Sequence, residues 1–228
     1  MPLTIGGQVG PTVAGDNTYP PVRLGRTAEV VVGELHGRFF EQVSRGNVYS
    51  IGTAGVLALT ANTIGLTATG TPILGIYNPP TSGYTAVVLQ ATLVDFLNNV
   101  TSVALGAFVW ASSIGNNVVT TGLAPFNRKT LSSTGSQVKG FGGATAMTGL
   151  TTTLVVFEPA EFNTASGLLT TTVAAATPTP SVSGVQNFDG SLFVPPGGML
   201  GLFNTISVTT HSVWGRLMWE EVPNALIP

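Results

Sequence analysis

The hydrophobic pattern of this chain repeats mostly at two residues, the period of a strand. Over residues 208–222, Val213, Gly215, Leu217 and Trp219 fall on one face, and Ser212, Trp214, Arg216 and Glu220 on the other. That alternation predicts a long strand with one buried face. A short apolar strand precedes it at 199–203, entered through Pro195-Pro196-Gly197-Gly198. Those four residues read as a turn, because proline presets φ and glycine accepts positive φ. Residues 84–97 alternate with Val87, Leu89, Ala91 and Leu93 on one face. Residues 100–111 return with Val103, Leu105, Ala107 and Val109 inward, which predicts a hairpin across Asn98-Asn99. Further strands are predicted at 73–77, stopped by Asn78-Pro79-Pro80, and at 151–157, stopped by Glu158-Pro159. Weaker ones fall at 30–32, 118–120 and 168–173. A long strand near the end of the sequence needs partners laid down earlier, so the chain should close a sandwich or barrel.

Helical spacing appears at 34–44, where Leu35, Phe39 and Val43 share a face. Gly37 weakens that helix and Gly46-Asn47 ends it. There is no βαβ alternation, which argues against a parallel α/β sheet. Two stretches read as long loops: 124–149, poor in bulky apolar residues, and 164–185, a Thr/Ala-rich surface loop. About eight to ten strands returning over long connections suit a Greek key or jelly roll. The expected fold is therefore all-β: a jelly-roll-like antiparallel β-sandwich over 47–228, preceded by an extended N-terminal arm over 1–46. The first part of that arm is rich in Gly, Pro and Thr, without periodicity.

Composition sharpens the picture in one respect. Only 8% of the 228 residues are charged, against roughly a quarter in ordinary soluble domains. A solitary protein with so few charges is poorly protected against association, so surface burial in an oligomer or larger assembly is expected. Eight Lys and Arg and a net charge of −2 do not suit sequence-general nucleic-acid binding. No apolar run approaches the ~20 residues of a membrane helix, and the first residues lack the basic and apolar regions of a secretory signal. With no Cys, disulfides and thiolate zinc sites are excluded.

Candidate chemistry is sparse. His36 and His211 lie far apart with no metal-ligand spacing; His36 reads as a hydrogen-bonding surface or interface residue. A triad of a Ser, His211 and Asp95 or Asp189 lacks a nucleophile elbow. Residues 140–143, Gly-Phe-Gly-Gly, lack the helix and the Lys-Ser/Thr ending of a phosphate loop, so a flexible loop is expected. Glu220 and Glu221 should point to opposite faces of their strand and cannot both line one site. Asp189-Gly190 reads as a turn without the alternating ligands of a calcium loop. No cofactor and no metal is expected. Trp219 should be core. Trp110 and Trp214 have the opposite parity from the Val/Leu set of their strands, which suits a subunit interface better than a sugar site.

Three stretches carry a resemblance: 34–50 (ELHGRFFEQVSRGNVYS), 76–91 (IYNPPTSGYTAVVLQA) and 193–223, with PPGG, GLF, HSVWG and WEEVP. They resemble virion structural proteins of tailed bacteriophages. The resemblance implies a non-enzymatic jelly-roll subunit on the capsid surface, a cement or decoration protein. It implies a homotrimer, docked on the major capsid protein, with no direct nucleic-acid or membrane contact. Arg26, Glu34, His36, Arg38, Phe39, Phe40, Glu41 and Arg45 are then candidate interface residues of the N-terminal region, joined by Trp110 and Trp214. The charged ones would set register through ion pairs, each worth at most ~1 kcal/mol when exposed, with strength coming from many subunits binding together. Alternatives are a tail, fibre or head-fibre component that binds host glycans through Trp110 or Trp214, a lectin-like or TNF-like module outside any virus, and, last, an enzyme dependent on His211.

Overall fold

A computed structural model describes residues 7–8, 22–23, 38–53, 56–59, 71–97, 108–117, 119, 122–143, 147–162, 181–205 and 208–224. In chain order the elements are β1 (Gly7–Gln8), β2 (Val22–Arg23), α1 (Phe40–Arg45), β3 (Val48–Thr53), β4 (Val56–Leu59), β5 (Leu74–Tyr77), β6 (Tyr84–Leu97), β7 (Phe108–Ser113), β8 (Phe126–Asn127), β9 (Lys139–Gly142), β10 (Val155–Pro159), β11 (Ser181–Val194), β12 (Met199–Asn204) and β13 (Val208–Pro223). Contacts divide the chain into two units, Met1–Glu41 and Gln42–Pro228. In the first, β1 and β2 pair in parallel. The second holds a β-sandwich.

Eight strands of that sandwich pair in nested order. The first, β3, pairs with the last, β13; β5 pairs with β12, β6 with β11, and β7 with β10, all antiparallel. One sheet runs β11-β6-β13-β3-β8, with β4 also on β13, and the other runs β10-β7-β12-β5-β9. A long antiparallel ribbon wound across two sheets in this way is a jelly roll. The all-β jelly-roll sandwich expected from the sequence is the fold observed.

Strand pairing corrects several expectations. β6 and β7 do not form a hairpin, because they lie in different sheets. Residues 181–194 are a long strand, although 181–185 were expected within a surface loop and Asp189-Gly190 reads as a turn. The Asp189-Gly190 pair sits in an irregularity: the β11–β6 register shifts between Asn187 and Leu192, with Asp189 and Gly190 at positive φ. The Gly-Phe-Gly-Gly stretch is no loop either; most of it belongs to β9, which forms the edge of the second sheet beside β5. β10 begins later than expected and runs through Glu158-Pro159. The helix is shorter, Phe40–Arg45, and closes at Gly46, which has positive φ and donates to the Val43 carbonyl at 3.0 Å. The strands expected at 30–32 and 168–173 lie outside the described residues, as do Val118 and Thr120 of a third.

The main core fills the space between the sheets, with Trp110, Trp219, Ile51, Leu93, Leu200 and Leu217 among its buried side chains. Each such burial contributes about 1.5–3 kcal/mol. A second cluster covers the outer face of the β5-β7-β12 sheet. Tyr77, Val109, Met199 and Phe203 supply its floor, and Phe141, Met147 and Leu154 pack in the same cluster. All six residues of β12 are therefore buried. The approach is close at Gly75, where a Cβ would collide with the Phe141 ring and the Leu200 carbonyl. Along β6 the inward set changes phase. The β13 register shifts so that Met218 faces Gln90 while Trp219 faces Val88, leaving Leu89 as the extra residue. Ala86 and Val88 precede the bulge and Ala91 and Leu93 follow it in the core, while Val87 is only half-buried.

Candidate interaction surface

The turn expected at 195–198 organises one end of the sandwich. Gly198 N–H donates to the Pro195 carbonyl at 2.8 Å, and Gly197 at the third position has φ +79°. This is the type II turn that a proline at the second position and a glycine at the third favour. Asn78, buried at the end of β5, locks it: its Nδ2 donates to the carbonyls of Tyr84 and Val194, and its main chain bonds Gly198 and Gly197. Asn116, also buried, accepts from Thr151 N–H and donates to Ser113 Oγ. Asn116 N–H also donates to the Gly197 carbonyl at 2.9 Å, so the β5–β6, β7–β8, β9–β10 and β11–β12 connections are fixed to one another.

From this end an apolar groove of about 450 Å³ runs along β10 and β11. These are the edge strands of their two sheets. Val155 and Phe157 from β10, Phe193 from β11 and Ile114 line it. They stand 60%, 41%, 54% and 61% exposed. Val155 and Phe157 share one strand parity, while Val156 between them packs on the second cluster. Pro159 closes β10, a residue compatible with an edge strand because it offers no donor to a further ladder. The result is a band of large apolar side chains at the open side of the jelly roll. Soluble monomers seldom keep such side chains together on the surface.

The sequence-chosen residues fall in different places. Trp110 is a correction: it is fully buried rather than at an interface. Its indole stands edge-on to Phe188 with centroids 5.4 Å apart. Its Nε1 donates to Gln186 Oε1 at 2.8 Å. Gln186 also accepts from Glu161 N–H at 3.1 Å and donates to Glu158 Oε1 at 3.2 Å. Parity misled because β7 is covered on both faces, so Trp110 and Val109 are both buried. Trp214 is 58% exposed on the outer face of the larger sheet, as expected. Trp219 is core, stacked near Tyr49. Arg38 lies over the Phe39 ring at 5.4 Å, and Phe40, Glu41 and Arg45 are exposed. Arg26, Glu34 and His36 lie outside the described residues, as does the His211 side chain.

The carboxylates have structural roles. Glu220 and Glu221 do point to opposite faces. Glu221 is buried and accepts from Ser136 Oγ, Gln137 N–H, Val138 N–H and Trp219 Nε1, latching the 136–138 segment to the last strand. Burial raises the Glu220 carboxyl above its usual range, and Arg45 opposes that rise. Burial also raises the Glu158 carboxyl, as does the charge of Glu161, while the Gln186 hydrogen bond lowers it. Among the described residues no group of His, Asp and Glu could hold a metal ion. No described helix is long and apolar enough to cross a membrane. Gln186, Val155, Phe157 and Phe193 were not singled out from sequence, and Glu221 was weighed there only as half of a carboxylate pair. The shared parity of Val155 and Phe157 was the one available signal, and it shows exposure only once β10 is known to be an edge.

Compared with protein-family models, with curated proteins and with solved structures, the chain finds no match in any of the three.

Proposed function

We propose that this jelly-roll subunit is a non-enzymatic structural protein of a tailed-bacteriophage particle, a cement or decoration protein. It joins copies of itself, as a homotrimer, and seats them on the major capsid protein at the capsid surface. The observation that carries the proposal is the apolar band of Val155, Phe157, Phe193 and Ile114 along the β10/β11 edge. In a chain with 8% charged residues, burying that band against another subunit removes four large exposed apolar side chains from water, at about 25 cal/mol per Å² of apolar area. The phage-like stretches 34–50, 76–91 and 193–223 give the assembly its identity by resemblance. In the sandwich, the second stretch overlaps β5 and β6, and the third contains β12, β13 and the locked turn.

The test is direct. Phage particles purified on a density gradient are probed for this chain, then stripped of it and heated. Presence at a fixed stoichiometry to the major capsid protein, with DNA released at lower temperature from stripped particles, supports a cement role. Particles without the chain, or stripped particles as heat-stable as intact ones, overturn it.

A further inference from the structure

The outer face of the β11-β6-β13-β3 sheet carries a feature that the edge-to-edge contact does not use. Arg216 and Trp214 lie two residues apart on β13, on the same outward face. Arg216 faces Thr92 of β6 on one side and Gly52 of β3 on the other, and Trp214 faces Val94. In the rows of Arg216 and of Gln90, β11 contributes Val185 opposite Thr92 and Asn187 opposite Gln90. Four strands at the spacing of a sheet make a platform roughly 15 Å across.

The polar groups of the platform are held in advance. Arg216 Nη2 donates to Gln90 Oε1 at 2.5 Å and approaches Thr92 Oγ1 at 3.3 Å, and Gln90 Nε2 donates to Asn187 Oδ1 at 2.9 Å. The row fixes the guanidinium with neutral acceptors only. Its Nε is buried without a partner. No carboxylate among the described residues meets Arg216, and the charge it senses is the like charge of Arg128. Burial lowers the Arg216 pKa from its ordinary value, and Arg128 lowers it further. A cation taken partly out of water and left uncompensated is unfavourable. It is the more conspicuous in a chain with eight Lys and Arg in all. Gly52 opposite it puts no side chain over the guanidinium, and the indole of Trp214 lies open beside it.

We infer that this platform binds an acidic saccharide. The sugar carboxylate meets the Arg216 guanidinium, the amides of Gln90 and Asn187 take its hydroxyls, and an apolar ring face rests on Trp214. Charge complementarity chooses an anion, and the neighbouring indole chooses a saccharide over a simple acidic peptide, which has no use for a flat aromatic surface. Because Gln90, Asn187 and Arg216 are already tied together, little side-chain freedom is lost on binding. The inference stands apart from the particle proposal, since a free subunit would bind as well.

The test uses the full chain and a panel of uronic-, sialic- and ulosonic-acid oligosaccharides, their neutral counterparts, and a hexaglutamate peptide. Titration is followed by calorimetry and by tryptophan fluorescence, whose exposed component comes from Trp214. We expect saturable binding of at least one acidic saccharide, at least tenfold weaker for its neutral counterpart. Trp214→Ala and Arg216→Gln should each weaken it tenfold or more at unchanged thermal midpoint. If Arg216→Gln does not fold, Arg216→Lys keeps the charge, removes the fork and should still weaken binding. No binding across the acidic panel overturns the inference. So does equal binding of hexaglutamate, which would mark an acidic-protein docking face, or binding unaffected by Trp214→Ala.

Discussion

Gln186 shows how much one buried side chain can hold in this fold. It satisfies the indole N–H of Trp110, the main chain of Glu161 and the carboxyl of Glu158. Gln186→Leu leaves the Trp110 donor buried and unpaired, so urea denaturation should show a loss of about 2 kcal/mol. Glu221→Ala removes the acceptor for two main-chain N–H groups, Gln137 and Val138, and should cost about 3 kcal/mol by the same measurement. Glu158 gives a pH signature. Its folded carboxyl titrates above the unfolded value because burial and Glu161 disfavour the charge. The fold therefore binds the proton more tightly than the unfolded chain. The penalty of the charged form is absent below the unfolded pKa and grows as pH rises through the folded one. Glu158→Gln, which can still accept from Gln186, should flatten the fall in thermal midpoint across mildly acidic pH. Its gain over wild type should vanish at low pH. None of these three roles was visible in sequence. Gln186 and Glu221 act on residues far away in the chain, and only strand register brings them together.

At the scale of elements, the sequence announced strands best where one face is buried and the other wet. β13 runs from 208 to 223 against an expected 208–222, and Gly215, Leu217 and Trp219 face the core as the alternation implied. β6 matched its expected bounds, yet its inward set was out of phase before the bulge at Leu89, since alternation cannot register an extra residue. β7 misled through Trp110 because both its faces are covered, which removes the alternation that parity depends on. β11 was hidden by Asp189-Gly190, which mark a bulge inside the strand and not its end. β9 was hidden for a related reason: its glycines permit close packing. Gly75 makes the same point on the neighbouring strand. Gly75→Ala should overpack against Phe141 and the Leu200 carbonyl and cost roughly 1–3 kcal/mol. Gly122→Ala, where an added Cβ meets nothing within 4 Å, should be near neutral. Equal midpoints for the two variants in chemical denaturation would refute the close-packed second core.

At the scale of the molecule, the fold and the sparse charge point the same way. The nested pairing leaves β10 and β11 as edges on one side of the sandwich, and that side carries Val155, Phe157 and Phe193. Low charge was legible in the composition, and it called for buried surface. Which face is open to such burial was not legible, because an edge strand and a central strand can share one pattern of residues. The interface expected at Trp110 is instead core, and the described edge offers apolar contact where the sequence suggested charged register. Sedimentation velocity over a wide concentration range tests self-association most directly, with wild type beside a Phe157→Asp/Phe193→Asp double variant. We expect wild type to sediment as a closed oligomer and the variant, still folded by circular dichroism, as a single 23.4 kDa chain. Wild type that remains a single chain at every concentration, or a double variant that assembles as wild type does, would contradict the central claim.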